Sequence, residues 1–206
     1  VNQIIRTMEK LAEDYYKNIL SLIGAVRVTD KEGKVLEFYH GIKVAGNLIL
    51  SHSDHKMMFI GNGASASISS HMATDFWKNG RIEALAFNDS SLLTCISNDY
   101  GYEHVFEKPI EMFAKREDIV FAISSSGESK NIVRGVNAAR LKECSVITLS
   151  GFKDDNILST LGDINFYIPS RKYGLVEVIH HSICHCILDT IVSYREGQVK
   201  EWINIK

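Results

Sequence analysis

The sequence is sparing with the residues that stiffen, crosslink or strongly charge a chain. Only two prolines, Pro109 and Pro169, occur in 206 residues, and neither stands in a stretch that would mark a linker. The four cysteines, Cys95, Cys144, Cys184 and Cys186, are too few and too scattered for a disulfide framework. They read as reduced thiols and point to the cytoplasm. No uninterrupted apolar run reaches about 18 residues, so no membrane span is expected. The opening VNQIIRTMEK meets the charges of LAEDYYK too early for a signal peptide. Neither sign of charge dominates: 23 Lys and Arg against 25 Asp and Glu give a net charge of −2. That balance excludes a nucleic-acid binder held by bulk charge, and neither a nucleic-acid nor a membrane partner is expected. There is no low-complexity tract and no internal repeat. The 45% apolar and 23% charged residues are ordinary for a globular protein and exclude a disordered chain.

What is present is a change of pattern along the chain. From Asn2 to about Val26, Ile4, Ile5, Met8, Leu11, Tyr15, Ile19, Leu22 and Ile23 recur at three- and four-residue steps, which predicts a helix. Thr29 to Lys34 reads as a turn. The later part of Val35–Leu50 reads as a second helix, with Ile42, Ala45, Leu48 and Ile49 on one face and Gly41 and Gly46 weakening it. Residues 1–50 therefore form a helical segment suited to oligomerisation, and residues 51–206 a separate α/β unit. There, short β-rich runs alternate with helical stretches. KMMFIG is followed by SASISSHMATDFWKN, then come EALAF, and SLLTCIS with HVFEKPIEMFA. DIVFAIS is followed by ESKNIVRGVNAARLKE, then come SVITLS, and INFYIP with LVEVIHHSICHCILDTIVSY. Such alternation predicts an α/β fold with a largely parallel sheet. FAIS and VITLS are apolar almost throughout, as strands covered on both faces should be.

In an open α/β sheet, ligands bind beyond the carboxyl ends of the strands. DIVFAIS opens into Ser124-Ser125-Ser126-Gly127-Glu128-Ser129 ahead of a helix. Four serines and the free N–H groups of a helix start can surround a phosphate. No P-loop lysine and no GxGxxG accompany them, so a nucleotide cradle is a poor alternative. A serine-rich helix cap is the plainer reading. KMMFIG opens into a second small-residue turn, in which Asn62 and Ser65 can reach sugar hydroxyls; a tight βα turn is the plainer reading there.

GNGASAS, HMATD, ISNDYGYEHVF, ISSSGES and VITLSG, in that order, resemble the SIS (sugar isomerase) domain family, and within it the phosphoheptose isomerases. The similarity runs from the N-terminal helices to about Ser193. It implies the SIS fold, a five-stranded parallel sheet flanked by helices in three α/β/α layers, with an N-terminal helical extension used in a homotetramer. It implies interconversion of sedoheptulose 7-phosphate and D-glycero-D-manno-heptose 7-phosphate, feeding heptose synthesis for capsule or lipopolysaccharide. It also implies sugar contacts for Asp99 and phosphate contacts for Ser124, Ser125, Ser126 and Ser129. The family's catalytic glutamate corresponds to Asp75, one methylene shorter. Its following arginine falls near Asn79, with Arg81 two residues on. Its late glutamine corresponds to Glu177 and its histidine to His185.

Aldose–ketose isomerisation needs a base at the C–H proton and an acid or metal at the carbonyl. His71 and Asp75 are i and i+4 on one helix. Glu177, His181 and His185 are i, i+4 and i+8 on another, and His180 is rotated off that stripe. The expected catalytic set is Asp75, His185 and His181, with Glu177 touching substrate. By resemblance His71, Asp75, Glu177 and His185 hold a Zn²⁺. The plainer readings are exposed i,i+4 pairs and core histidines. His52 and His55 read as surface residues, and Trp77 and Trp202 as packing ones. The alternative to an enzyme is a non-catalytic SIS module that binds a sugar phosphate or a protein partner.

Overall fold

Along β3 (Met57–Gly61), Met57 and Phe59 alternate with Met58 and Ile60, and each pair enters a different hydrophobic cluster. The same alternation runs through β5 (Ile119–Ser124), where Phe121 faces one way and Val120 and Ala122 the other. Side chains alternate across a strand, so two apolar sets per strand require a cover on both faces. Helices supply it. The first cover consists of α2 (Phe38–Ser51), α3 (Ala64–Lys78) and α7 (Tyr173–Arg195), the second of α5 (Glu107–Phe113) and α6 (Lys130–Leu141). The edge of the second cover is α4 (Ser90–Tyr100), which contains SLLTCIS. This is the computed structural model of the chain, and it describes residues 7–197. Ile4, Ile5 and Trp202 lie outside them.

Five strands pair in parallel in the order β7-β6-β5-β3-β4, with β4 at Ala84–Ala86, β6 at Ser145–Gly151 and β7 at Ile164–Ile168. The sheet is larger than the expected five strands. An antiparallel hairpin of β1 (Arg27–Asp30) and β2 (Val35–Leu36) joins it through β1 against β7 and makes seven. Thr29 and Asp30, read as turn, are strand residues. The turn itself is Lys31–Lys34, closed by Asp30 Oδ1 accepting from the N–H groups of Glu32 and Lys34 at 3.1 and 2.9 Å. Gly41 of α2 lies against β1 so closely that a Cβ would stand 2.6 Å from Val28. The glycine that weakens this helix is what lets it dock.

α1 spans Met8–Gly24, capped by the Thr7 hydroxyl, and buries none of its residues. Ile19, Leu22 and Ile23 touch the core, whereas Met8, Leu11, Tyr16 and Leu20 are exposed. Trp77, read as a packing residue, is 54% exposed, because it lies on the side of α3 away from Met72 and Phe76. α7 is long and apolar enough to cross a membrane by length and composition. Half of its most apolar window is buried inside the fold, where it packs on α2 and α3.

The chain leaves β3 toward β4 on one side and continues from β5 to β6 and β7 on the other. The crevice at the carboxyl ends of β3 and β5 is thus the point where strand order reverses, the place where open α/β sheets bind ligands.

Candidate active site

Two groups of side chains meet near this crevice. The first is a recess of about 130 Å³ lined by Asn62, Ser65, Ser124, Ser125, Ser126, Ser129 and Glu177, with Ile123 and Tyr173. Ser124 Oγ accepts from the Gly127 N–H at 3.1 Å and stands 3.2 Å from Ser129 Oγ and 3.5 Å from Ser126 Oγ. Gly127 takes φ +66°, the left-handed region that folds the loop back on itself. Ser125 is buried and its hydroxyl has no protein partner. A buried unpaired hydroxyl costs free energy unless a ligand satisfies it. Ser129 is the N-cap of α6, which brings the unpaired N–H groups and positive end of that helix to the same place. The recess is therefore built to take an anion.

Asn62 is held rather than free. Its Oδ1 accepts from Asn131 Nδ2 at 2.9 Å and from the Tyr102 hydroxyl at 3.0 Å, and its Nδ2 donates to Asn131 Oδ1 at 2.9 Å. Asn131 and Tyr173 were not singled out in the sequence. Tyr173 had a signal, lying four residues before Glu177 on the same face of α7.

The second group is a histidine cluster. His71 and Asp75 come from α3, His181 and His185 from α7. The ligating nitrogens of His71, His181 and His185 lie within 4.8 Å of one another. The His181 and His185 rings stack with centroids 4.7 Å apart, and His71 stands edge-on to both at 5.2 and 5.4 Å. Asp75 Oδ2 is 3.3 Å from His71 Nε2 and 3.9 Å from His185 Nδ1. Burial, together with the neighbouring His185 and His71, pushes the His181 imidazole below its ordinary range, which keeps it neutral. His181 Nε2 is buried without a partner. Asp189, four residues beyond His185, completes the stripe. Burial raises its carboxyl, with His185 opposing and Asp75 adding to the rise.

The structure thus brings His71, Asp75, His181 and His185 together and places Glu177 one turn away, in the serine recess. Asp99 stands apart from both groups: it is on exposed α4, where Oδ1 accepts from Asn98 at 2.9 Å. His180 points into the core, fully buried, as its rotation off the stripe implied.

The three imidazoles form a donor set suited to Zn²⁺, and the unpartnered His181 nitrogen gives such an ion a lone pair that nothing else uses. All four described cysteines are free thiols. Cys184 and Cys144 are buried in the core, and burial pushes both thiols up, Cys144 to about 11.

Comparison with known proteins places the chain in a family. The family model of the SIS domain matches residues 14–151. A phosphoheptose isomerase of Helicobacter hepaticus is 34% identical over 168 residues, 78% of this chain and 85% of that protein. The phosphoheptose isomerase of Photorhabdus laumondii is 37% identical over 142 residues, 66% of this chain and 73% of that one. The solved structure of phosphoheptose isomerase from Neisseria gonorrhoeae superposes with a TM-score of 0.79 at 27% identity, covering 91% of this chain and all of that one. On sequence and fold together, the chain belongs to the SIS domain family, in its phosphoheptose isomerase branch.

Proposed function

We propose that this chain isomerises sedoheptulose 7-phosphate to D-glycero-D-manno-heptose 7-phosphate through an enediol. The observation that carries the reading is the single face of α7 that joins the two halves of the site. Tyr173 and Glu177 line the anion recess. His181 and His185 follow at one and two further steps of four residues, roughly 6 and 12 Å along the axis. A sugar anchored by its phosphate therefore extends toward the histidines, where the reacting carbons lie several bonds away.

In this reading the serine loop and the α6 N-terminus bind the phosphate, and Asn62, Ser65 and Glu177 contact the hydroxyls. Asp75 takes the C–H proton next to the carbonyl. It is only 18% exposed, and its Oδ2 is shared between His71 and His185. His185 moves the proton between the two oxygens, and His71 holds the carboxylate in position. Neutral His181 keeps a lone pair available. His71, His181 and His185 would hold a Zn²⁺, which when bound would polarise the carbonyl as a Lewis acid, leaving Asp75 free as the base. The geometry favours His181 in that set ahead of Glu177. Asp99 reaches substrate only if a second subunit brings it there. That fits a homotetramer in which residues 1–50, through the exposed face of α1, are the assembly segment and residues 51–206 the sugar-phosphate unit. The free thiols suit the cytoplasm as its location.

The test is turnover of sedoheptulose 7-phosphate with and without chelator. Asp75→Asn and His185→Ala should each lower kcat at least about a hundredfold and leave phosphate binding intact. Near-wild-type turnover in both refutes the assignment. A wild-type protein that binds the sugar phosphate and never isomerises it is instead a binding module, an outcome to which the short Asp75 side chain gives weight.

A further inference from the structure

The serine loop is not self-supporting. Its centre, Gly127, leans on a residue from a different loop, Asn156, which lies between β6 and β7. Asn156 is 1% exposed and does not line the recess. Its Oδ1 caps the 3-10 helix Ile157–Thr160 by accepting from the Ser159 N–H at 3.0 Å. That cap turns the Leu158 N–H toward Gly127, whose carbonyl it reaches at 3.0 Å. The Asn156 Nδ2 has Lys153 O at 2.6 Å, and Ser150 Oγ and Gly151 O both at 3.2 Å, so two hydrogens serve three acceptors at the end of β6. The amide also fills the space over Gly127: a Cβ there would stand 1.8 Å from Asn156 Oδ1 and 2.3 Å from its Cγ. One ion pair, Lys153 to Glu128 at 3.2 Å, joins the same two loops at the surface. From Asn156 the connection continues through Ser150, whose carbonyl meets His180 Nε2 at 3.1 Å, into α7.

We propose that Asn156 is a positioning residue of the anion site. Its amide seats the Gly127 peptide and thereby sets the spread of the Ser124–Ser129 hydroxyls, so that affinity for a phosphate-bearing ligand depends on a side chain that never touches it. The cap and the packing act on the same peptide. Loss of the amide frees the Leu158 N–H from its alignment and opens room above Gly127, and the loop relaxes away from the geometry that four hydroxyls and a helix start need to converge on one anion. The inference rests on the sugar-phosphate reading for the identity of the ligand, but inorganic phosphate alone suffices to test it.

The experiment is calorimetric titration of the full chain with inorganic phosphate, alongside steady-state kinetics with sedoheptulose 7-phosphate. Asn156→Ala should weaken phosphate binding about tenfold, the effect of one or two lost hydrogen bonds. It should raise KM in parallel, while kcat changes less than about threefold because the histidine cluster is untouched. Asn156→Ser keeps an oxygen for the Ser159 N–H and loses the Nδ2 bonds, so it should fall between the two. If the alanine variant does not fold, the serine variant carries the test with the same readouts. Unchanged phosphate affinity and KM in the folded variant, or a loss confined to kcat, overturns the proposal and leaves the isomerase reading standing. A wild-type protein that binds phosphate without turnover overturns the isomerase reading and leaves this one. Absence of phosphate binding in the wild type overturns this proposal, while turnover of sedoheptulose 7-phosphate decides the isomerase reading.

Discussion

His180 sets an acid limit on the stability of the fold. The ring is fully buried, its Nε2 lies 3.1 Å from the Ser150 carbonyl, and its Nδ1 has no partner. A carbonyl only accepts, so the hydrogen sits on Nε2, and a second proton on Nδ1 would be a buried charge with nothing to receive it. Burial accordingly lowers the imidazole from its ordinary 6.5 to about 4, with the Ser150 carbonyl opposing the shift. The folded value is depressed, so the unfolded chain binds the extra proton between pH 6.5 and 4. The stabilisation is complete above about pH 6.5 and is lost as pH falls toward 4. The slope is about 1.4 kcal/mol per pH unit, giving about 3 kcal/mol across the window and about 2 kcal/mol at pH 5. Against a typical domain stability of roughly 5–15 kcal/mol that loss is large. In a chain of this size it corresponds to roughly 4–8 °C of Tm at pH 5. Asn and Gln do not titrate, and His180→Gln can still donate to Ser150. Urea unfolding at pH 7.5, 6.5, 5.5 and 4.5 should show a steeper decline for the wild type than for His180→Gln, the curves converging toward acid whatever packing cost the substitution carries at neutral pH. Carboxylates destabilise both proteins alike and cancel in the difference. Parallel decline of the two proteins between pH 6.5 and 4.5 would falsify the reasoning.

Two other outcomes follow from the same coordinates. Ser125→Ala removes a buried hydroxyl that has no protein partner, so the ligand-free protein should melt within about 1 kcal/mol of wild type or above it. The rise in Tm that phosphate produces should shrink at the same time, and full retention of that rise would remove Ser125 from the anion site. Leu11 and Leu20 on α1 are 52% and 73% exposed. Burial against other subunits would contribute roughly 1.5–3 kcal/mol each. Leu11→Glu with Leu20→Glu should therefore move the sedimentation coefficient from a tetramer to smaller species at micromolar concentration. A monomeric wild type, or a variant that sediments like it, refutes α1 as the assembly face.

The parts of this molecule that were legible beforehand are those whose physics is local. FAIS and VITLS announced strands covered on both faces because they carry no charge and are apolar almost throughout. The serine loop stood out because Ser124 to Ser129 follow a buried strand directly. His180 was separable from His181 and His185 by helical rotation alone, and burial bears that out. The same four-residue step, carried one position further each way, would have found Tyr173 and Asp189. What was not legible depends on contacts far apart in sequence. Val35 and Leu36 are too few to signal a strand, and β1 becomes one only because it pairs with β7, about 136 residues on. Trp77 looked like a core residue by type, yet α3 fills its buried face with Met72 and Phe76 and leaves the indole outside. Asn156 sits in a polar loop like many others, and its role emerges only where that loop crosses Gly127.

The hairpin at one side of the sheet has a consequence for how the sheet is kept from growing. A seven-stranded sheet with a five-strand parallel centre would present long open ladders if its outer strands were long, and an open ladder is a template for another chain. Here the outermost strands are β2 and β4, of two and three residues. The open row of N–H and C=O groups on either outermost strand is therefore only two or three residues long. Growth by strand addition is disfavoured, so the slow-forming parallel pairings are shielded from neighbours once folded, and the helix surfaces are the larger faces open to any partner.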